Sequence, residues 1–377
     1  MSKNIIIVGP AYPLRGGLAT YNLLLANKLQ EQGHSVRILT FSLQYPNIIF
    51  PGKTQYSTEP KPDSIEIEVS LNSVNPLNWL SLGKKLREEK PDLVIFRYWM
   101  PFMGPSLGTL GRIIRKNKHT KVVAIADNII PHEKRFFDTP FTKYFVNSCD
   151  GFVTMSKSVL EDLKKFDVNK PAGYNPHPMY ESFGPQLDKV EARKKLGLAE
   201  NGKYLLFFGF IRKYKGLDIL LRAFADKRIQ EAGIKLIIAG EYYDKPEEYQ
   251  AIIKEHNLEP AVVQANEFIP DSEVSVYFSA ADMVVQTYKT ATQSGVTQIA
   301  YYYYNPMLVT DVGGLAELVP HNKVGYVTST DTLEIADAIL DFYENKREAE
   351  FVENIKTERL CFTWDSMIAK LFEVGGL

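Results

Sequence analysis

Cysteine is scarce in this chain, with two residues, Cys149 and Cys361, among 377. They match no zinc-ligand or redox spacing and allow at most one disulfide. A disulfide-stapled fold and a thiol-redox enzyme are therefore set aside, and two reduced thiols are expected. Histidine numbers six, none with a partner at metal-ligand spacing, and no Asp-x-Asp pair is available for a divalent ion, so no metal site is expected. The chain also lacks any run of the roughly 18–20 apolar residues that a spanning helix needs. The opening Ile5-Ile6-Ile7-Val8 is too short for the core of a secretory signal and passes straight into loop residues. These absences predict a cytoplasmic protein, placed at most at the inner face of a membrane by peripheral contact.

Net charge is also nearly absent, at −1, but the balance hides a split. Residues 1–180 carry 23 Lys and Arg against 15 Asp and Glu, and the remainder 21 against 30. The N-terminal half is thus expected to face something anionic. With 45% hydrophobic and 24% charged residues, the composition is that of a folded globular chain rather than a disordered one.

Short apolar runs alternate with helix-like stretches along nearly the whole length. Residues 4–10, 35–41, 92–98, 121–127 and 151–156 read as buried strands, with helices at 20–33, 78–90, 105–117, 139–148 and 157–166. The same grammar restarts beyond residue 185. Strands are expected at 203–209, 234–240, 281–287, 306–311 and 325–329, with helices at 217–225, 246–256 and 333–344 between them. Continuous Val/Ile/Leu runs separated by helices indicate parallel sheets covered on both faces. The fold class is therefore α/β, with two doubly wound Rossmann-like domains facing across a cleft. The joint falls in the segment 170–185, which holds four prolines. The expected domains are 1–178 and 179–360, with 361–377 crossing back onto the first.

In doubly wound sheets ligands sit beyond the carboxyl ends of the strands, so the loops there are where chemistry is sought. The first, residues 9–21, carries Gly16-Gly17 before a helix, where a backbone can approach an anion closely. It is not a G-x-G-x-x-G fingerprint, which argues against NAD. In the second, residues 207–224, Arg212, Lys213 and Lys215 crowd a short loop ahead of Gly216 and a helix, a pattern suited to a diphosphate. The third, residues 288–319, places Thr292, Gln293, Ser294 and Gly295 before a helix whose first amides, with that of Val296, suit phosphate oxygens. Beyond it, Asp311-Val312-Gly313-Gly314 makes another tight loop.

Together these loops resemble the retaining nucleotide-sugar glycosyltransferases of family four, which have the GT-B fold. The resemblance covers almost the whole chain and rests on the paired glycines, on GFIRKYKGLDILL (209–221) and on TDVGGLAELV (310–319). It implies a hexosyltransferase-like enzyme that moves a sugar, with retention, from a nucleoside diphosphate to a glycan or lipid-linked acceptor. The setting it implies is bacterial-type cell-surface polysaccharide synthesis. The donor, UDP- or GDP-linked, is a co-substrate, and no cofactor is expected. Gly16 and Gly17 would lie by the sugar and phosphates, and Arg212 and Lys215 would neutralise the leaving diphosphate. Arg212 stands in for a family arginine whose place is taken by Phe210. Asp127, Asn128 and His132 fall where the family has acceptor- and sugar-facing groups. Asp127 and His132 join Arg212 and Lys215 as catalytic candidates, whereas His177 reads as structural.

One departure is large. Two family glutamates eight residues apart correspond to Ala291 and Ile299, with Gln293 or Gln298 as possible substitutes. A non-catalytic binding protein of the same fold, or a sugar-nucleotide epimerase, therefore stands as the alternative.

On the acceptor side, residues 112–143 hold eight Lys and Arg against three Asp and Glu. Arg112, Arg115, Lys116, Lys134, Arg135 and Lys143, interleaved with aromatics from Phe136 to Phe145, suit an anionic membrane near a lipid-linked acceptor. Overall acidity and the lack of a recognition motif argue against nucleic acid.

Overall fold

A computed structural model describes residues 2–46, 54–57, 60–131, 135–167, 169–291 and 294–377. The chain forms two compact units, Met1–Pro178 with Phe362–Leu377, and Met179–Cys361.

The N-terminal unit is built on a parallel sheet of β1 (Asn4–Val8), β2 (Ser35–Leu43), β3 (Glu66–Asn72), β4 (Leu93–Tyr98), β5 (Lys121–Ala126), β6 (Gly151–Thr154) and β7 (Ala172–Tyr174), in the order β3-β2-β1-β4-β5-β6-β7. Every residue of β4 is buried and β1 is buried beyond its first residue, as expected of central strands covered on both faces. The final helix, Trp364–Gly375, belongs to this unit. It packs where β6 begins with Gly151, since a Cβ there would overlap the Val374 backbone.

The C-terminal unit repeats the plan with β8 (Lys203–Phe208), β9 (Ile234–Ala239), β10 (Val262–Ala265), β11 (Met283–Gln286), β12 (Met307–Thr310) and β13 (Gly325–Thr328), ordered β10-β9-β8-β11-β12-β13. All its strand pairs are parallel. Its core joins Leu205, Phe207, Leu236 and Ile238 from the strands to Leu217, Leu220, Leu221 and Phe224 of the helix Leu217–Phe224. Each such side chain, fully buried, contributes roughly 1.5–3 kcal/mol.

β3, β7 and β10 were not expected from the sequence, and each lies at a sheet edge. Both sheets change direction once, between β1 and β4 and between β8 and β11. A parallel sheet opens a crevice at such a switch point, because the loops on either side run to opposite faces.

Candidate functional site

The loops after β8 and β11 flank the C-terminal switch point, and backbone contacts stitch them together. Lys289 N donates to Tyr214 O at 2.6 Å, and Thr287 Oγ1 donates to Gly216 O at 2.9 Å. Gly216 has φ +67° and touches the Thr287 carbonyl so closely that no Cβ fits. Only glycine satisfies both demands.

This turn buries Lys215, which is 8% exposed. A Cβ built on Gly209 would lie 3.0 Å from Lys215 Nζ and 3.8 Å from Val296 Cγ2. The glycine therefore makes room for an ammonium beside the first turn of the helix Gly295–Tyr302. Burial, reinforced by the like charge of Arg212, pushes the Lys215 ammonium down to about 7. Among the described residues no carboxylate offsets its charge. A desolvated cation without a counter-charge is costly, and such a group in a loop at a switch point is a candidate for holding an anion.

The helix Gly295–Tyr302 adds to this. Its N-cap, Ser294, makes no side-chain cap, and its first turn holds no acid, so its leading amides keep their positive end. The Ser294 hydroxyl is instead 3.3 Å from Tyr288 Oη, and Lys215 Nζ lies 5.7 Å from the Tyr288 ring centroid. Arg212 is half-buried, its guanidinium carbon 4.8 Å from the Tyr243 ring, which packs at 4.4 Å on Phe210. Thus Arg212, Lys215, Ser294, Gly295 and Val296 gather at one switch point. Gln293 lies outside the described residues. Tyr243 and Tyr288 escaped the sequence reading, because aromatic residues near strand ends read as ordinary packing.

In the N-terminal unit the loop after β1 is held down by Asn22, whose Nδ2 donates to Pro10 O at 2.8 Å. It is also held by Thr54–Ser57, with Ser57 N donating to Pro13 O and Arg15 Nε to Thr54 O. Gly16, at φ 107°, precedes the helix that starts at Gly17. That helix has no side-chain cap and no acid in its first turn. A close-approach backbone thus leads into an open helix N-terminus.

Asp127, a catalytic candidate from the sequence, is held by a buried partner. Both its carboxylate oxygens accept from Arg97, at 2.7 Å each, and the two residues are 5% and 1% exposed. The Arg97 guanidinium carbon lies 3.9 Å from the Tyr21 ring centroid, and Tyr21 in turn packs on His177 and Trp364. A carboxylate gripped by a buried guanidinium is fixed in place by charge-assisted hydrogen bonds. His177 sits in the same cluster. Burial pushes its imidazole down to about 3, and because Pro178 O can only accept, the proton is on Nδ1. His132 lies outside the described residues.

Two domain models match this chain: "Glycosyltransferase Family 4" over residues 15–172 and "Glycosyl transferases group 1" over residues 188–358. The chain is a glycosyltransferase of the family-four type.

An uncharacterized glycosyltransferase of Methanocaldococcus jannaschii is 25% identical, over 85% of this chain and 84% of its own. The N-acetyl-alpha-D-glucosaminyl L-malate synthase of Bacillus anthracis is 21% identical over 89% and 86%. Among solved structures, sucrose-phosphate synthase from Thermosynechococcus elongatus superposes with a TM-score of 0.75 at 16% identity, covering 99% of this chain and 98% of that one. Anabaena HepE in complex with UDP does so with 0.74 at 16%, covering 98% of each. At such identities the structures establish the fold, two Rossmann-like domains of GT-B type.

Ala291 and Ile299, which the sequence resemblance sets in the places of two family glutamates, are each 6% exposed. Gln298 is fully buried, and neither its amide oxygen nor its nitrogen has a hydrogen-bond partner among the described residues. No described group of three His, Cys, Asp or Glu could hold a metal ion, and no described helix is long and apolar enough to cross a membrane. Both cysteines are free; burial pushes the Cys149 thiol up to about 12, and Cys361 is exposed.

The basic residues expected to form one face of the glycosyltransferase are divided by the sheet. Arg112, Arg115 and Lys116 lie with Lys121 at the amino end of β5. Arg135 and Phe136, the latter 95% exposed, follow its carboxyl end. Lys143 is exposed on the helix Asp138–Val146, and Lys134 lies outside the described residues.

Proposed function

We propose that this glycosyltransferase takes its sugar from a nucleoside diphosphate, UDP or GDP, and passes it with retention to a glycan or lipid-linked acceptor. The observation that carries this reading is Lys215: a buried ammonium over Gly209, beside the open N-terminus of Gly295–Tyr302, with Arg212 on the same loop. In the reaction the bond between the anomeric carbon and the β-phosphate oxygen breaks, and its electrons go to the diphosphate. The acceptor hydroxyl oxygen bonds to that carbon and its proton is released. Lys215, Arg212 and the helix amides stabilise the growing negative charge, a task that needs no metal ion. Related folds support the donor class, since HepE was solved with UDP-glucose and with UDP and glucose.

Gly16 and Gly17 would supply close backbone approach in the N-terminal unit. The exposed Phe136 with Arg135 and Lys143 suits peripheral contact with an anionic membrane carrying the acceptor, as expected for cell-surface polysaccharide synthesis. Calorimetric titration with UDP, GDP and dTDP and their sugar forms, without added metal, tests the donor. Micromolar binding of one nucleotide, lost in an Arg212→Ala/Lys215→Ala variant, supports the reading. Equal binding by wild type and variant removes the proposed diphosphate site.

A further inference from the structure

The helix Gly104–Ile114 and the turn Arg115–Asn117 run into β5 through Lys118, His119 and Thr120. This short stretch, with Asp150 from the start of β6, encloses an open pocket of about 340 Å³. Arg112, Arg115, Lys116, Lys118 and Lys121 line it, together with His119, against the single carboxylate of Asp150.

Two of these cations have ordinary reasons to be there. Arg112 lies at 3.6 Å over the Tyr144 ring and donates to Gly108 O, and Arg115 pairs with Asp150 at 2.8 Å. Both also sit at a helix C-terminus, where the dipole favours cations. His119 is drawn to Asp92 at 3.2 Å. Lys116, Lys118 and Lys121 differ, since all three are exposed and none has a described carboxylate partner. Lys118 also adopts φ +58°, a left-handed conformation that glycine or asparagine would fill at lower cost. Asp150 is already neutralised by Arg115, so the pocket keeps a concentrated positive charge. Like charges lining one pocket repel, and an anion of two or more charges relieves that repulsion at several lysines at once.

The position separates this pocket from the loop after β5, in the same unit. Lys121 opens β5 and Asp127 follows its end, so the pocket and the loop after β5 are roughly 16 Å apart along one strand. We infer that the pocket formed by Arg112, Arg115, Lys116, Lys118 and Lys121 is a second anion site, which binds a phosphate-bearing group of two or more negative charges. That charge comes either from one soluble anion or from neighbouring singly charged headgroups of an anionic lipid surface.

The test uses the full chain carrying Arg212→Ala and Lys215→Ala, so that the proposed donor site does not report. Inorganic pyrophosphate is titrated calorimetrically, and co-sedimentation is measured with phosphatidylglycerol/phosphatidylcholine vesicles and with phosphatidylcholine alone. Adding Lys116→Ala, Lys118→Ala and Lys121→Ala is expected to weaken binding at least tenfold in one arm or both, while three Lys→Arg changes preserve it. Loss in the pyrophosphate arm identifies a soluble phosphate, and loss confined to phosphatidylglycerol vesicles identifies a lipid headgroup. Binding within twofold of the parent in both arms, or no binding by the folded parent to either probe, overturns the inference.

Discussion

Arg97 holds Asp127 through two parallel hydrogen bonds of 2.7 Å, with both side chains almost wholly buried. The register explains the pair: Arg97 on β4 lies opposite Ile125 on β5, so Asp127 emerges two residues further along the neighbouring strand. Truncating one member leaves an uncompensated charge, which typically costs 3–5 kcal/mol. Asp127→Ala is therefore expected to lose about that much in urea unfolding, and turnover falls with the folded fraction. Unchanged stability together with lost turnover would instead return Asp127 to the substrate.

Lys215 is expected to show the opposite balance. Its ammonium is buried, with no counter-charge among the described residues, so Lys215→Met removes a desolvation cost while keeping the stem's volume. The variant should gain about 1–2 kcal/mol, as changes that sacrifice a strained functional group do. Turnover should drop about 10²–10³-fold, the usual loss for one group stabilising developing negative charge. Thermal unfolding and initial rates on the same preparation check both signs. A variant both less stable and fully active contradicts the assignment.

How far the sequence was legible follows from burial. Central strands such as β1 and β4 are continuous apolar runs because helices cover both faces, and that pattern alone gave the α/β class. β3, β7 and β10 were invisible because edge strands are partly exposed: EIEVSLN carries two glutamates, and no residue of AGY or VVQA is buried. At the C-terminal switch point, glycines and cations crowded into one short loop could be read without coordinates. The Arg97–Asp127 pair could not, since its members are 30 residues apart. A signal was nonetheless present, because an arginine inside the buried run LVIFRY demands a carboxylate on an adjacent strand. The basic segment is spread out for a related reason: residues near one another in sequence fall at the amino and carboxyl ends of β5.

The depressed Lys215 also sets a pH dependence. In the free protein it titrates near 7, against about 10.4 in an unfolded chain. Between those values the unfolded state holds one more proton, so stability contributed through this group rises with pH, by at most about 1.4 kcal/mol per unit. Donor binding runs the other way. A bound diphosphate favours the ammonium, so above pH 7 binding must take up a proton, and affinity falls by up to about tenfold per pH unit. A nucleotide sugar is the suitable probe, because its diphosphate diester has no proton that titrates in this range. Calorimetry from pH 6 to 9 in buffers of different ionisation enthalpy should show uptake that grows above 7. Lys215→Met should show none, and equal uptake in both proteins would place the titrating group elsewhere.

Gly216 and Gly197 separate conformation from crowding. They share nearly the same left-handed backbone, φ +67° and +66°, yet a Cβ at Gly197 meets nothing within 4 Å, whereas at Gly216 it overlaps the Thr287 carbonyl. Gly197→Ala therefore bears only the cost of a left-handed non-glycine residue, about 1–2 kcal/mol, and nucleotide binding should not change. Gly216→Ala bears that cost and must also part the loops after β8 and β11, which Thr287 Oγ1 and Lys289 N hold together. Its destabilisation should exceed that of Gly197→Ala by at least 1 kcal/mol, the scale of strain at a crowded backbone. Because the same turn seats Lys215 over Gly209, nucleotide affinity should fall with it, measured on protein that is still folded at the assay temperature. If the two alanine variants bind nucleotide equally well, the stitched turn is a fold element alone, and the position of Lys215 does not depend on it.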